Sequence, residues 1–218
     1  DDALGEIAVR LEKIRQRHGA ESLAIQTGWP FVRHPMINFL HRFARAFGSP
    51  NVATVASLCE ASLRMGQALT VGTKYSPDVR RVKTLVVWGA NPPTTAPPFA
   101  HVVAAKAASG NLIVIDPVKT LLAKEATMHL SVRPGTDGAL ALGLINLVVS
   151  EKRYDAGFVS KYTRGFDELS ALAATFPPER VEQITSVPVA QIVKLANMMS
   201  DDRPVGVWQG LGGEHHES

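Results

Sequence analysis

Five short stretches hold the residues whose chemistry is most specific. Gly89-Ala90-Asn91-Pro92 joins a glycine that lets backbone come close to a ligand to an amide that both donates and accepts. Asp116-Pro117 closes an apolar run 27 residues after Gly89. An acid so placed suits a ribose hydroxyl, and it equally suits an Asx turn. Arg133-Pro134-Gly135-Thr136-Asp137 precedes a long apolar segment. Asp137 there favours a helix dipole, with Thr136 as the cap, or else pairs its two oxygens with the N1 and N2 hydrogens of a guanine. Gly210-Leu211-Gly212-Gly213 runs into Glu214-His215-His216, dense in glycine and close to the last residue. The adjacent histidines have no metalloprotease-type spacing and give a weak metal signal. Cys59, the one cysteine, sits among Ser57, Glu60, Ser62 and Arg64. Its thiolate suits a soft metal, and its size suits a small buried hydrophobe.

The elements that would carry these loops are legible in the apolar periodicity. Leu4, Ile7, Ala8, Leu11 and Ile14 predict a helix ending near Gly19. Residues 22–27 and 51–55 read as strands, with a helix from Pro35 to Phe47 between them, stopped by Gly48. Residues 56–78 read as an irregular crossing, helical near Glu60–Ala68. Beyond it, strands are expected at 84–88, 112–115, 129–132 and 204–208. Helices are expected at 99–108, 121–127, 137–149, 154–162 and 188–199. Each candidate loop then follows a strand. In an open parallel sheet the strand carboxyl ends are where ligands sit. The expected class is α/β, with two Rossmann-like lobes and parallel sheets. Residues 1–56 belong to the first lobe, 57–78 form a connection with the Cys59 loop, and 79–218 form the second lobe.

Composition narrows the function classes. The chain has 218 residues, 45% hydrophobic and 20% charged, which is enough for real cores. A net charge of +3 argues against a nucleic-acid groove. A single cysteine allows no internal disulfide, and no apolar run reaches the roughly 20 residues that span a bilayer. No G-x-G-x-x-G follows Thr84–Trp88, so a nicotinamide-dinucleotide dehydrogenase would be atypical, and no Ser-His-Asp order supports hydrolysis.

The ordered set resembles a known family. Phe47-Gly48-Ser49-Pro50-Asn51, Cys59, Val87-Trp88-Gly89-Ala90-Asn91-Pro92, Val114-Ile115-Asp116-Pro117 and Val132-Arg133-Pro134-Gly135-Thr136-Asp137-Gly138-Ala139-Leu140 are similar in order and spacing to the molybdopterin oxidoreductases of the dimethyl sulfoxide reductase family, in their Cys-ligated type. Tyr154-Asp155, Phe158-Val159, Thr163–Phe166 and Trp208–His216 continue the resemblance. It implies two molybdopterin guanine dinucleotides around one molybdenum or tungsten, with Cys59 as metal ligand. Gly89, Asn91 and Pro92 would meet one cofactor's phosphates and pterin. Asp116-Pro117 would hold a ribose, and Gly135 and Asp137 would form the guanine site. Leu211, Gly212 and His215 would touch the pterin near the metal. An iron–sulfur cluster is implied only in an N-terminal lobe whose cysteines this chain lacks. The chain is thus expected to be an internal fragment of a catalytic subunit, inactive alone, acting on a small-molecule redox substrate and passing electrons to a partner subunit. It would not insert in a membrane. Cytoplasm and, by way of a leader, periplasm are both compatible. Glu60 after the cysteine, where formate dehydrogenases carry histidine, counts against formate. The alternatives are a non-catalytic nucleotide-binding or scaffold module of a respiratory complex and the atypical dehydrogenase.

Overall fold

A computed structural model describes residues 1–28, 35–55, 59–213 and 216. The chain divides into two compact units, Asp1–Lys74 and Tyr75–Ser218.

The first unit opens with helix α1, Asp2–His18. Its expected apolar stripe does form on a helix, yet none of its side chains is buried. Pairs Glu6–Arg10 and Glu12–Arg15 line the surface at helical spacing. Strand β1, Ile25–Thr27, pairs in parallel with β2, Val52–Thr54, in the register Ile25 to Val52 and Thr27 to Thr54. Helix α2, Ile37–Phe47, connects them and buries Ala44. Gly48 ends it with φ 98° and donates back to the Ala44 and Arg45 carbonyls, the left-handed stop that glycine adopts without Cβ strain. The Gly48–Asn51 turn is then sewn to the approach to β1. The buried Ser49 hydroxyl donates to the Leu23 carbonyl, Asn51 Nδ2 donates to the Glu21 carbonyl at 2.6 Å, and Ile25 N–H donates to the Asn51 carbonyl. Helix α3, Ala61–Val71, completes the unit and carries the helical part expected near Glu60–Ala68.

The second unit is built on four parallel strands: β3 Thr84–Trp88, β4 Leu112–Ile115, β5 Met128–Leu130 and β6 Val205–Gln209. Their order across the sheet is β5-β4-β3-β6. The runs Leu85–Trp88 and Leu112–Ile115 are continuously apolar because both faces of the sheet are covered. Leu85, Val87, Leu112 and Val114 point to one side, against Val102 and Val103 of α5 (Ala100–Ala108) and Leu122 and Ala123 of α6 (Leu121–Glu125). Pro92–Thr95 forms the short α4 before them. Val86, Ile113, Ile115 and Leu130 point to the other side. They meet Leu140, Leu144 and Leu147 of α7 (Asp137–Ser150), and Val181, Ile192 and Leu195 from further helices. Those helices follow a short α8, Ala156–Tyr162; they are α9 Phe166–Ala174, α10 Pro178–Thr185 and α11 Val189–Asp201. Gly143 is the close-approach point of α7 on α10, since a Cβ there would lie 2.6 Å from Val181 Cγ2.

Chain direction reverses across this sheet. From β3 the strands step outward through β4 to β5, and the chain then returns to add β6 on the opposite side of β3. The split between β3 and β6 is a topological switch point, where crossover helices part and leave a crevice above the carboxyl ends.

Candidate functional site

The loops that follow β3, β5 and β6 meet at these carboxyl ends. Gly89 follows β3 with φ 57°, and its N–H donates to the Ile115 carbonyl at 2.8 Å, fixing the loop to the end of β4. Gly210 follows β6 and donates to the Trp88 carbonyl at 2.8 Å. The two loops touch backbone to backbone. A Cβ on Gly210 would lie 2.0 Å from the Gly89 oxygen, so only glycine fits there. The β6 loop continues over α7, where a Cβ on Gly213 would sit 3.3 Å from Asp137 Cγ. Further along, His216 lies beside Gly135.

Asp137 is the first residue of α7 and is half-buried. The indole N–H of Trp88, the last residue of β3, donates to its Oδ1 at 2.6 Å. Among the described residues no other group donates to this carboxylate. The expected capping role of Thr136 is not realised. Its side chain makes no cap bond to α7, and its hydroxyl donates instead to the Arg133 carbonyl at 2.7 Å, bracing the Pro134-Gly135 turn. Arg133 itself donates to the Ser186 hydroxyl, and its N–H to the Thr185 carbonyl, so α10 holds the loop from behind.

Asn91 caps α4, and its carbonyl accepts from the Thr94 and Thr95 N–H groups. Its amide donates to the Thr94 hydroxyl at 3.1 Å, and Pro92 is buried at the first helical position. Asp116 makes the Asx turn, Oδ1 accepting the Val118 N–H at 2.8 Å. One ring nitrogen of His129 contacts its carbonyl at 2.9 Å, and Ser131 donates to the carbonyl of the exposed Pro117. Leu211 is half-buried and Gly212 exposed, while His215 and its neighbour Glu214 lie outside the described residues. In the second unit, then, Gly89, Gly135, Asp137, Leu211 and Gly212 gather at the switch point. Asn91, Pro92, Asp116 and Pro117 stand at the flanking strand ends.

Cys59 belongs to the first unit and is a free, half-buried thiol. Its N–H donates to the Val55 carbonyl at 2.8 Å. The next residue, Glu60, is 5% exposed and anchors the segment. Its Oε2 accepts from Lys74 Nζ at 3.0 Å and from Arg64. Burial pushes this carboxyl up, but the two cations outweigh that effect and hold it below its ordinary value. At the carboxyl end of β1 the buried Thr27 hydroxyl has no partner among the described residues. No three His, Cys, Asp or Glu side chains come together among the described residues, so a metal held by protein groups alone has no cage here. No helix among them is long and apolar enough to cross a membrane.

Two features escaped the sequence reading. Trp88 was only part of a strand, though its place directly before Gly89 put it at a carboxyl end. Glu60 was noted for its position, and nothing in the sequence says that it is buried between two cations.

The family model for molybdopterin oxidoreductase matches residues 1–208 of the chain. The chain belongs to that family. It is 32% identical over 209 residues to acetylene hydratase of Syntrophotalea acetylenica, which covers 95% of this chain and 28% of that protein. It is 28% identical over 218 residues to formate dehydrogenase H of Escherichia coli, covering 97% of this chain and 30% of the other. To the molybdopterin-containing subunit of a thiosulfate reductase of Salmonella typhimurium it is 28% identical over 204 residues, covering 93% and 26%. Among solved structures, acetylene hydratase from Pelobacter acetylenicus superposes with a TM-score of 0.75 at 31% identity, over 95% of this chain and 29% of that one. The α/β architecture with parallel sheets is therefore the family's own. The chain spans less than a third of the length of these relatives.

Proposed function

We propose that this chain is the cofactor-holding portion of a bis(molybdopterin guanine dinucleotide) enzyme of molybdenum or tungsten. The observation that carries the reading is the glycine-lined switch point, where Gly89, Gly210 and Gly213 bring backbone against backbone beside the Asp137 carboxylate. The glycines let three loops close on one another and bring exposed backbone beside the carboxylate, and a half-buried carboxylate suits a partner with two adjacent N–H groups. Gly89 and Asn91 meet phosphate and pterin, Asp116 the ribose, Asp137 the guanine, and the Leu211-Gly212 turn with His215 the pterin. Cys59 supplies a thiolate to the metal, and the ion pairs of Glu60 immobilise the backbone just after it. When bound, the metal supplies the two-electron redox chemistry; the protein's share is to bind, orient and seal.

In the whole enzyme a small redox substrate exchanges an oxygen atom, electrons or a hydride equivalent, and a partner subunit carries the electrons. The similarity to acetylene hydratase, in sequence and in structure, favours a second reading of the reaction, redox-neutral addition of water on the same scaffold. Turnover that requires an electron donor or acceptor supports the first reading; turnover that needs neither supports the second.

The test is to purify the full-length protein, measure molybdenum and tungsten by mass spectrometry, and measure GMP released by acid. One metal and two GMP per polypeptide are expected. Protein that holds neither metal nor GMP when grown with both metals available refutes the proposal and leaves a scaffold module.

A further inference from the structure

We infer that Trp88 is a positioning residue for base recognition, holding the Asp137 carboxylate in the orientation that distinguishes guanine from other bases. The inference rests on the guanine-reading role proposed for Asp137. The argument begins at β3. Alternation along the strand puts Trp88 on the same face as Val86, and its ring packs against the core cluster that includes Leu140 of α7. A ring fixed on a strand gives its N–H a fixed direction. That N–H meets Asp137 Oδ1 at 2.6 Å, a bond to an ionised acceptor and so among the stronger kinds.

A carboxylate on the first residue of a helix ordinarily turns to serve the free N–H groups of the first turn. Here it is committed elsewhere. Trp88 pins one oxygen and so restricts rotation of the group, and the Gly213 turn lies beside it, where an added Cβ would come within 3.3 Å of Cγ. Each carboxylate oxygen has two acceptor sites, so among the described residues Oδ1 keeps one for a ligand and Oδ2 keeps both. Two parallel acceptors in a fixed plane match the N1–H and N2–H edge of guanine. Hypoxanthine, which lacks the exocyclic amine, fills only one. The indole thus acts through Asp137 without touching the base.

The experiment uses the full-length protein prepared without cofactor, with GDP and IDP as probes and calorimetric titration as the measurement. Wild type is expected to bind GDP at least about tenfold tighter than IDP, the worth of one hydrogen bond to a charged group. Trp88→Phe keeps the ring and removes the N–H. It is expected to weaken GDP about tenfold and bring the GDP-to-IDP ratio close to one, with thermal stability nearly unchanged. Asp137→Asn is expected to abolish the preference. If wild type binds neither nucleotide, or if Asp137→Asn still prefers GDP, the guanine reading of Asp137 falls and this inference with it. If Asp137→Asn loses the preference while Trp88→Phe keeps it, only the role of Trp88 is refuted. It is equally refuted if Trp88→Phe weakens GDP and IDP alike, the mark of a merely structural residue, or tightens GDP, the mark of an indole that competes for the carboxylate.

Discussion

Gly210→Ala tests whether the β3 and β6 loops are in fact pressed together at the switch point. The added methyl would lie 2.0 Å from the Gly89 oxygen, 2.8 Å from its carbonyl carbon and 3.0 Å from Ala90 Cα. All three are backbone atoms, so no rotamer change relieves the overlap. Gly89 cannot retreat freely, because its N–H is bonded to the Ile115 carbonyl, nor can Gly210, bonded to the Trp88 carbonyl. The loops must part by more than an ångström. Overpacking of this kind costs about 1–3 kcal/mol, and releasing the β6 loop altogether forfeits its hydrogen bond to Trp88, about 1 kcal/mol. A loss of about 2 kcal/mol lowers the melting temperature of a domain this size by roughly 4–8 °C. Gly212→Ala is the control, since its methyl would lie 3.7 Å from the Gly89 oxygen, an ordinary contact. Circular dichroism on both variants checks the expectation, and GMP content of the full-length variants checks the function. If Gly210→Ala melts within a degree of wild type and keeps its GMP, the loops are not in contact and the cradle argument fails.

Cys59→Ser in the full-length protein should lower bound metal several-fold while leaving the melting temperature within about 2 °C, since the half-buried thiol carries little packing; elemental analysis and calorimetry decide it. Leu140→Ala empties a fully buried position between α7 and the sheet, and should cost about 2–5 kcal/mol in urea unfolding. Glu60 carries a pH prediction. Its folded pKa lies below the ordinary 4.5, so its ion pairs contribute fully above pH 4.5 and are lost as pH falls through the lower folded value. Glu60→Gln should therefore be less stable than wild type at pH 7, by about 1–2 kcal/mol because Arg64 and Lys74 still reach water, and that difference should shrink as pH is lowered below 4.5. A gap that stays constant from pH 7 to 3 would contradict the pairing.

Much of this was readable from the residues because both periodicities are strong in the second unit. Thr84–Trp88 and Leu112–Ile115 have no polar residue inside the run, which only a sheet covered on both faces explains, and glycine, proline or aspartate follows each. Element ends shifted by a residue or two, as at β5, expected at 129–132 and found at Met128–Leu130. Helices α9 and α10 leave weaker local marks, and Pro178 sits at the first turn of α10, where proline suits a helix start as well as a break. The site was legible as a set of loops and not as a set of contacts. Strand order decides which loops meet, and order across a sheet leaves no local trace. That β6 returns beside β3, and so brings Gly210 to Gly89, is a matter of 116 intervening residues that add β4 and β5 and cover both faces of the sheet. The failed cap at Thr136 has the same origin, since the local rule was outbid by the turn's own need for a brace.

The near-equal likeness to differently named enzymes bears on what this stretch of chain does. A hydratase, a formate dehydrogenase and a thiosulfate reductase share 32%, 28% and 28% identity with it, each over at least 93% of its length. Enzymes with such different substrates have little reason to agree on substrate contacts, and good reason to agree on a common cofactor. The residues that the fold gathers fit that division. Gly89, Asp137, Gly210 and Gly213, with Asp116 at the flanking strand end, present backbone and carboxylates suited to phosphate, ribose and base. On the proposed reading Cys59 and its neighbours approach the reacting centre, and Leu211, Gly212 and His215 touch the pterin near it. Exchanging residues at the switch point should then alter which nucleotide is retained and how tightly, and leave unchanged which substrate the loaded enzyme prefers. A switch-point variant that keeps its GMP but changes substrate preference would contradict this division of labour.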